Sequence, residues 1–265
     1  MCGRITQHRN QLAYAREMGW QADEFGCHDG RHTSVWNVAP GTSPWLMHCF
    51  DDEREHIDAV NWGYRPSWAA EKKIPMAINA RIEKAATGPY FRPLWKKGRA
   101  IVPADGWYEW TGEKGRKQPW YIRRRDQRPL FLAAITGYRP DKEPGGNTGF
   151  VIVTAAADGG LIDVHDRRPV VFAPEDAALW MDNSLPPEQA EHLARAMALP
   201  PEAFDWYRVG TEVNRVGNNG PHLIAPIESE HGEEDNEDDE EAMISRPASG
   251  PAGKTIPAPG RDAPA

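Results

Sequence analysis

The chain has 265 residues, enough for one large domain or two small ones, and its 40% hydrophobic content with 11 Trp, 7 Tyr and 7 Phe supports a packed core. No apolar run approaches the ~20 residues of a membrane helix, and residues 1–8 lack the apolar stretch of a secretory signal, so a cytoplasmic location is expected by default. The net charge of −8 is confined to one end: residues 228–265 carry 11 acidic and 3 basic residues, whereas residues 1–227 carry 28 of each.

Helical spacing over residues 10–20 places Leu12, Ala15 and Met18 on one side. Residues 45–50 and 56–62 read as a strand pair joined by the charged turn Asp51-Asp52-Glu53-Arg54, with Pro44 just ahead of the first strand, where no ladder donor is needed. Residues 99–103, 106–110 and 119–123 read as strands, the last two joined by a hairpin loop over residues 112–117. Residues 130–135 and 150–154 are further short apolar strands. Two helices follow over residues 174–181 and 187–197, each with Pro in its first turn. Short strands between Gly/Pro turns predict an α+β fold: one domain over residues 1–227, mainly antiparallel sheet or a partly closed barrel, with peripheral helices. Residues 228–265, acidic and then Pro/Ala/Gly-rich, read as a disordered tail that cannot bury enough apolar surface to offset its ordering entropy.

Three cysteines, Cys2, Cys27 and Cys49, make no disulfide framework and fit a reducing compartment. Cys27-His28, His32 and His48-Cys49 match no standard zinc spacing, so no metal is expected, and Cys27 and Cys49 read as small buried or idle thiols. Cys2 is different. A small second residue permits removal of the initiator Met, after which Cys2 carries an α-amine and a thiol on adjacent carbons. The amine has an ordinary pKa of ~7.7–8.0 and so is partly neutral near pH 7. The thiol, ordinarily near ~8.5, can be lowered by a neighbouring cation such as Arg4. Such a 1,2-aminothiol condenses with an aldehyde, the amine forming an imine and the sulfur closing a five-membered thiazolidine ring.

Other clusters carry chemistry by residue type. In Ala77-Ile78-Asn79-Ala80-Arg81, Asn79 either orients a nucleophile or caps a helix, and Arg81 matches a phosphate fork. In Pro103-Ala104-Asp105-Gly106-Trp107-Tyr108-Glu109-Trp110, Glu109 sits between aromatic residues, where burial would raise its pKa towards neutrality. Asp105-Gly106 reads as a turn, and Trp107 and Trp110 read as core. In Val164-His165-Asp166-Arg167-Arg168, His165 is a proton shuttle candidate and Arg167 a phosphate ligand, or the run is a surface ion-pair cluster.

Taken in order, Met1-Cys2-Gly3-Arg4, Asn37-Val38-Ala39-Pro40-Gly41, Asn61-Trp62-Gly63-Tyr64, Asn79-Ala80-Arg81, the 103–110 segment and His165-Asp166-Arg167-Arg168-Pro169 resemble the SOS-response-associated peptidase (SRAP) family, in particular its bacterial abasic-site-processing members, over about residues 2–227. The resemblance implies an SRAP-type domain that crosslinks Cys2 to the aldehyde of an abasic site. It implies that Asn79 orients Cys2, that Glu109 is the acid/base carboxylate and that His165 assists ring opening. It assigns Arg4, Arg81 and Arg167 to the DNA backbone, and Trp68 with Pro40 to a wedge that stacks on or parts the bases. The implied partner is single-stranded DNA, or a single-strand to duplex junction, bound by a monomer without cofactor. A cysteine peptidase, and a non-covalent single-stranded DNA binder, are the competing readings.

Overall fold

Most of the strands predicted between residues 45 and 154 form, and they sort into two sheets. The computed structural model describes residues 2–21, 26–27, 34–50, 54–113, 115–143, 145 and 147–227. The turn over residues 51–53, His28, His32, Met1 and the acidic tail lie outside the described residues, as does the side chain of Cys27.

In chain order the strands are β1 (Ile5–Gln7), β2 (Gly26–Cys27), β3 (Val35–Val38), β4 (Trp45–His48), β5 (His56–Ala59), β6 (Asn79–Arg81) and β7 (Arg99–Ala104). They continue as β8 (Gly106–Thr111), β9 (Gln118–Arg124), β10 (Leu130–Thr136), β11 (Phe150–Ala156), β12 (Arg167–Pro169), β13 (Val171–Phe172) and β14 (Phe204–Arg208). The helices are α1 (Gln11–Glu17), α2 (Ser67–Glu71), α3 (Ile82–Ala85), α4 (Arg92–Lys97), α5 (Pro174–Met181) and α6 (Pro187–Ala196). This is an α+β architecture.

One sheet has the order β14-β9-β8-β1-β3; the other runs β12-β11-β10-β7-β4-β5-β2, with β13 against β10 and β6 against β11. Pairing is mostly antiparallel, but β6 runs parallel to β11, with Asn79 opposite Ile152 and Arg81 opposite Thr154. Among the described residues neither sheet's hydrogen-bonding path closes on itself, which corrects the partly closed barrel. Between the two sheets, Gln7 of β1 makes a side-chain bridge. Its side chain donates to the Trp45 and Pro103 carbonyls at 3.0 and 2.7 Å and accepts from the Trp45 amide at 2.8 Å. A side chain bridges the two sheets there, where a closed barrel would use a backbone ladder.

Local chemistry explains the element ends. Asn10 caps α1, its Oδ1 accepting from the Ala13 amide at 2.8 Å. The β4–β5 pair has Met47 opposite Ile57, both fully buried, and Val60 donates to Pro44 at 3.0 Å beside it. The β8–β9 hairpin has Glu109 opposite Trp120. Strand β10 is buried along its whole length because helices and loops cover one face and the second core cluster the other, so it reads as a continuous apolar run.

Candidate active site around Cys2

Strand β1 brings the chain start against β8. Ile5 lies opposite Trp107 and Thr6 opposite Gly106, and the Tyr108 amide donates to the Arg4 carbonyl at 2.9 Å. Extending that register sets Gly3 beside Glu109, which delivers Cys2 to the Glu109 carboxyl. Cys2 is wholly buried and Glu109 is 3% exposed. From the other sheet, Asn79 on β6 donates its Nδ2 to the Cys2 carbonyl at 2.8 Å. Asn79 is therefore a strand residue holding the backbone of Cys2; α3 begins after Arg81, and Asn79 caps nothing.

Burial sets the electrostatics. It raises the Glu109 carboxyl to about 7, with Asp166 adding to the rise and Lys117 opposing it. The Cys2 thiol is pushed up, first by burial and then by the Glu109 charge, while an amide hydrogen bond from Arg4 works the other way. This corrects the expected lowering by the Arg4 guanidinium. That group points elsewhere: its Nη1 donates to the Asn37 Oδ1 and, at 2.8 Å, to the Val213 carbonyl, and it stands 5.8 Å from the Trp110 ring centre.

His165 follows a 3-10 turn over Gly159–Asp163 and is partly exposed. Its Nδ1 accepts from the Arg167 amide at 2.9 Å, which puts the proton of the neutral ring on Nε2. The Asp166 carboxylate stands 2.8 Å from the same Nδ1. The Arg167 amide is a donor fixed in the chain, and burial, the largest influence, lowers the His165 pKa while Asp166 opposes it. Asp166 and Lys117 act electrostatically on both Glu109 and His165.

The other predicted residues divide. Arg4 lines an open groove of about 590 Å³ with Trp110, Arg116, Lys117, Thr211 and Asn214. Trp110 is thus a groove wall, its Nε1 donating to Asn214 Oδ1 at 2.7 Å, whereas Trp107 is core at 1% exposure. Arg81 is exposed at the end of β6. Trp68 is 40% exposed on α2, edge-on to Tyr90. Pro40 sits half-buried in a turn that Gly41 closes at φ +86° by donating to the Trp62 carbonyl. Arg167 differs from expectation. It is buried, bidentate to Glu83 at 2.7 and 3.0 Å and bonded to the Thr154 carbonyl at 2.6 Å. Its guanidinium is engaged inside the fold, and a phosphate would compete with Glu83 for it.

Sequence reasoning assigned no part to Lys117 or Asp166. Lys117 lay in a hairpin loop and Asp166 in a charge run, and each acts on Glu109 from a segment flanking a strand.

A buried cysteine next to the chain start, held by an Asn from one sheet and faced by a Glu from another, is the arrangement of a distinct class. The chain belongs to the SOS response associated peptidase (SRAP) family, whose family model matches residues 1–216. It is 43% identical over 227 residues to the abasic site processing protein YedK of Escherichia coli, covering 86% of this chain and 100% of that protein. It is 30% identical over 230 residues to the abasic site processing protein YoqW of Bacillus subtilis, covering 84% and 99% respectively. A solved structure of a phage-related protein from Bordetella bronchiseptica superposes with a TM-score of 0.68 at 37% identity, covering 78% of this chain and 94% of that one. Among the described residues no helix is long and apolar enough to cross a membrane.

Burial of Glu109 makes stability pH-dependent. The folded state keeps the proton up to about pH 7, whereas the unfolded chain releases it near 4.5. The folded state therefore binds more protons between those values, and this contribution to stability is full below about 4.5 and is lost as pH rises through about 7. At pH 8 the group costs the fold about 3 kcal/mol relative to acid conditions. Urea unfolding of E109Q and the parent protein at pH 5 and pH 8 is expected to show a stability gain for E109Q at pH 8 that shrinks at pH 5. An identical difference at both pH values would show that Glu109 is not the group responsible.

Proposed function

We propose that this protein processes abasic sites in DNA, and that it does so by forming a covalent crosslink from Cys2 after Met1 is removed. The observation that carries the reading is the bond from Asn79 to the Cys2 carbonyl, made within reach of the buried Glu109 carboxyl. It fixes the backbone of the residue that would bear both the free amine and the thiol. The names of the relatives, abasic site processing proteins in bacteria and animals, support the same substrate.

The chemistry balances as follows. The abasic sugar opens when its C1–O4 bond breaks, O4 takes a proton and the C1 hydroxyl loses one to a base, leaving an aldehyde at C1. His165 gives O4 its proton from the imidazolium form and returns to the neutral ring, which in turn can take up the C1 hydroxyl proton. The neutral α-amine of Cys2 adds to the aldehyde carbon, and loss of one water gives an imine. The sulfur then adds to the imine carbon while the thiol proton passes to the nitrogen. The net loss is one water and the product is a thiazolidine. Glu109, with a pKa of about 7, exists in both forms near neutrality and so can supply and remove protons in these steps. Because burial raises the thiol pKa, the sulfur needs a base to take its proton as it closes the ring, a role that the Glu109 carboxylate can fill.

Arg4, Arg81 and the groove cations are the proposed contacts for the strand, and Trp68 and Pro40 the proposed wedge against its bases. Single-stranded DNA, alone or at a duplex junction, is the preferred substrate in this reading, and the protein acts as a monomer in the cytoplasm. The body over residues 1–227 carries the activity and the tail is dispensable for it.

The test is a denaturing gel of the untagged protein with an oligonucleotide bearing one abasic site. A shifted band is expected, absent with C2A and absent with intact DNA. Salt-sensitive binding without a shifted band would favour a non-covalent binder, and cleavage of unrelated peptides a peptidase. N79A is expected to slow band formation about 10- to 100-fold with DNA affinity nearly unchanged, because it frees the nucleophile without touching the strand. Equal rates for N79A and the parent would remove Asn79 from the mechanism.

A further inference from the structure

We propose that Asp105 is a positioning residue for Cys2: it clamps the far end of β1 and thereby holds Cys2 in register with Glu109. The inference rests on the crosslinking reading for its consequence, but its structural content is independent of it.

Asp105 occupies the corner between β7 and β8, where the chain passes from one sheet to the other. In the sequence, Asp105-Gly106 looked like a turn. In the fold this residue grips β1 from two directions. Its amide donates to the Thr6 carbonyl at 2.9 Å. Its Oδ2 accepts from the His8 amide at 2.7 Å, the Arg9 amide at 3.2 Å and the Tyr14 hydroxyl at 2.7 Å, and lies 2.8 Å from His8 Nδ1. The Arg9 guanidinium is 3.4 Å from Oδ1. The side chain is 3% exposed, and despite that burial these donors hold its pKa below the ordinary carboxylate value.

The clamp adds to the Gln7 bonds and the β8 pairing at the one end of β1 that its own ladder fixes poorly. Strand β1 is three residues long, and its pairing with β3 is irregular between Ile5 and Gln7. Cys2 lies four residues upstream of Thr6, joined to it by extended chain that pairs with β8. A slip of one residue in a strand turns every side chain to the opposite face. Here it would carry Cys2 away from both Glu109 and Asn79. Gly106 belongs to the same device: a Cβ there would meet the Tyr121 ring at 2.3–2.6 Å, and the Tyr121 hydroxyl bonds Thr6 Oγ1 at 2.9 Å. Glycine lets that ring close over β1.

The test compares the parent protein with D105A and D105N as full chains. Hydrogen exchange is read at the Tyr108 amide, which reports the β1–β8 pairing, and at Ala134 in β10, which reports the core. Alkylation of buried Cys2 by iodoacetamide is read by peptide mass, with Cys49 as the internal reference. In D105A the Tyr108 amide and the Cys2 thiol are expected to react about tenfold faster, with Ala134 and Cys49 unchanged. D105N keeps an acceptor oxygen and is expected to recover part of the protection, reacting about threefold faster than the parent. Single-turnover crosslinking by D105A should fall about tenfold at unchanged DNA affinity. Equal acceleration at Tyr108 and Ala134 would mean that Asp105 only stabilises the whole fold, and no acceleration would mean that it holds nothing; either overturns the proposal. If D105A does not fold, D105N decides: an acceleration of about threefold at Tyr108 and Cys2 alone supports the clamp, and none refutes it. Failure of the parent protein to crosslink abasic DNA would sink the crosslinking reading while leaving the exchange and alkylation results to judge the clamp.

Discussion

A chain that retains Met1, or carries any residue ahead of Cys2, is expected to lose covalent capture of abasic DNA by at least roughly 1000-fold, equivalent to about 4 kcal/mol of barrier. The reason is chemical first. Acylation turns the Cys2 α-amine into an amide nitrogen, which has no lone pair to give an aldehyde. The thiol alone can add only reversibly, and no ring can close. The reason is also steric, because Cys2 is wholly buried between Asn79 and Glu109. DNA affinity should change far less, since Arg81, Trp68 and the groove cations stand apart from the amine. Crosslinking yield against time for the processed and extended proteins, at equal DNA occupancy, measures the effect. Comparable yields from both forms would take the amine out of the mechanism.

The largest effect on folding is expected at Arg99. This arginine is fully buried at the start of β7 and sits against the Trp180 ring. Its guanidinium donates to four carbonyls: Trp95 at 2.9 Å, Trp180 at 3.0 Å, Asp182 at 2.5 Å and Leu185 at 2.9 Å. The first belongs to α4, the next to the last turn of α5, and the others to the loop that follows. Two are helix-end acceptors and two lie in the loop, and one planar cation gathers them together. Burial lowers its pKa to about 10, so it remains charged at neutral pH. R99A would strand those carbonyls away from water and open a cavity among Trp95 and Trp180. A loss of about 3–5 kcal/mol is expected, which in a domain of this size lowers Tm by about 10 °C. R99K should fall nearly as far, because an ammonium cannot span four divergent acceptors. Thermal unfolding followed by circular dichroism measures both.

Much of the fold was legible because local pattern and tertiary role agree. The β4–β5 and β8–β9 hairpins and helix α5 lie where alternation, turn residues and an N-terminal proline place them. The misses share one cause, which is long-range pairing by short segments. Strand β6 has three residues and runs parallel to β11, more than seventy residues away in sequence. Nothing local in Asn79-Ala80-Arg81 distinguishes that strand from a helix cap. The barrel was a fair extrapolation from many short strands, but whether sheets close depends on such long-range pairing.

The candidate site was legible in a similar proportion. Burial of Glu109 followed from its aromatic neighbours. The behaviour of the Cys2 thiol did not, because residue order puts Arg4 close while the fold sends its guanidinium to Asn37 and Val213. Arg167 likewise looked available for phosphate until Glu83, 84 residues earlier in the chain, met it across α3 and β12. Trp110 shares a face of β8 with the buried Tyr108 and packs half-buried against that cluster near the end of the strand.

The most direct measurement of the central claim is the intact mass of the denatured adduct with an abasic oligonucleotide, followed by peptide mapping. The predicted mass is that of the chain without Met1 plus the oligonucleotide, less one water, and it is unchanged by borohydride because a thiazolidine holds no imine to reduce. Mapping should place the DNA on the peptide beginning with Cys2. An adduct that gains hydrogen on reduction, or that maps to an internal lysine such as Lys117, would contradict the account.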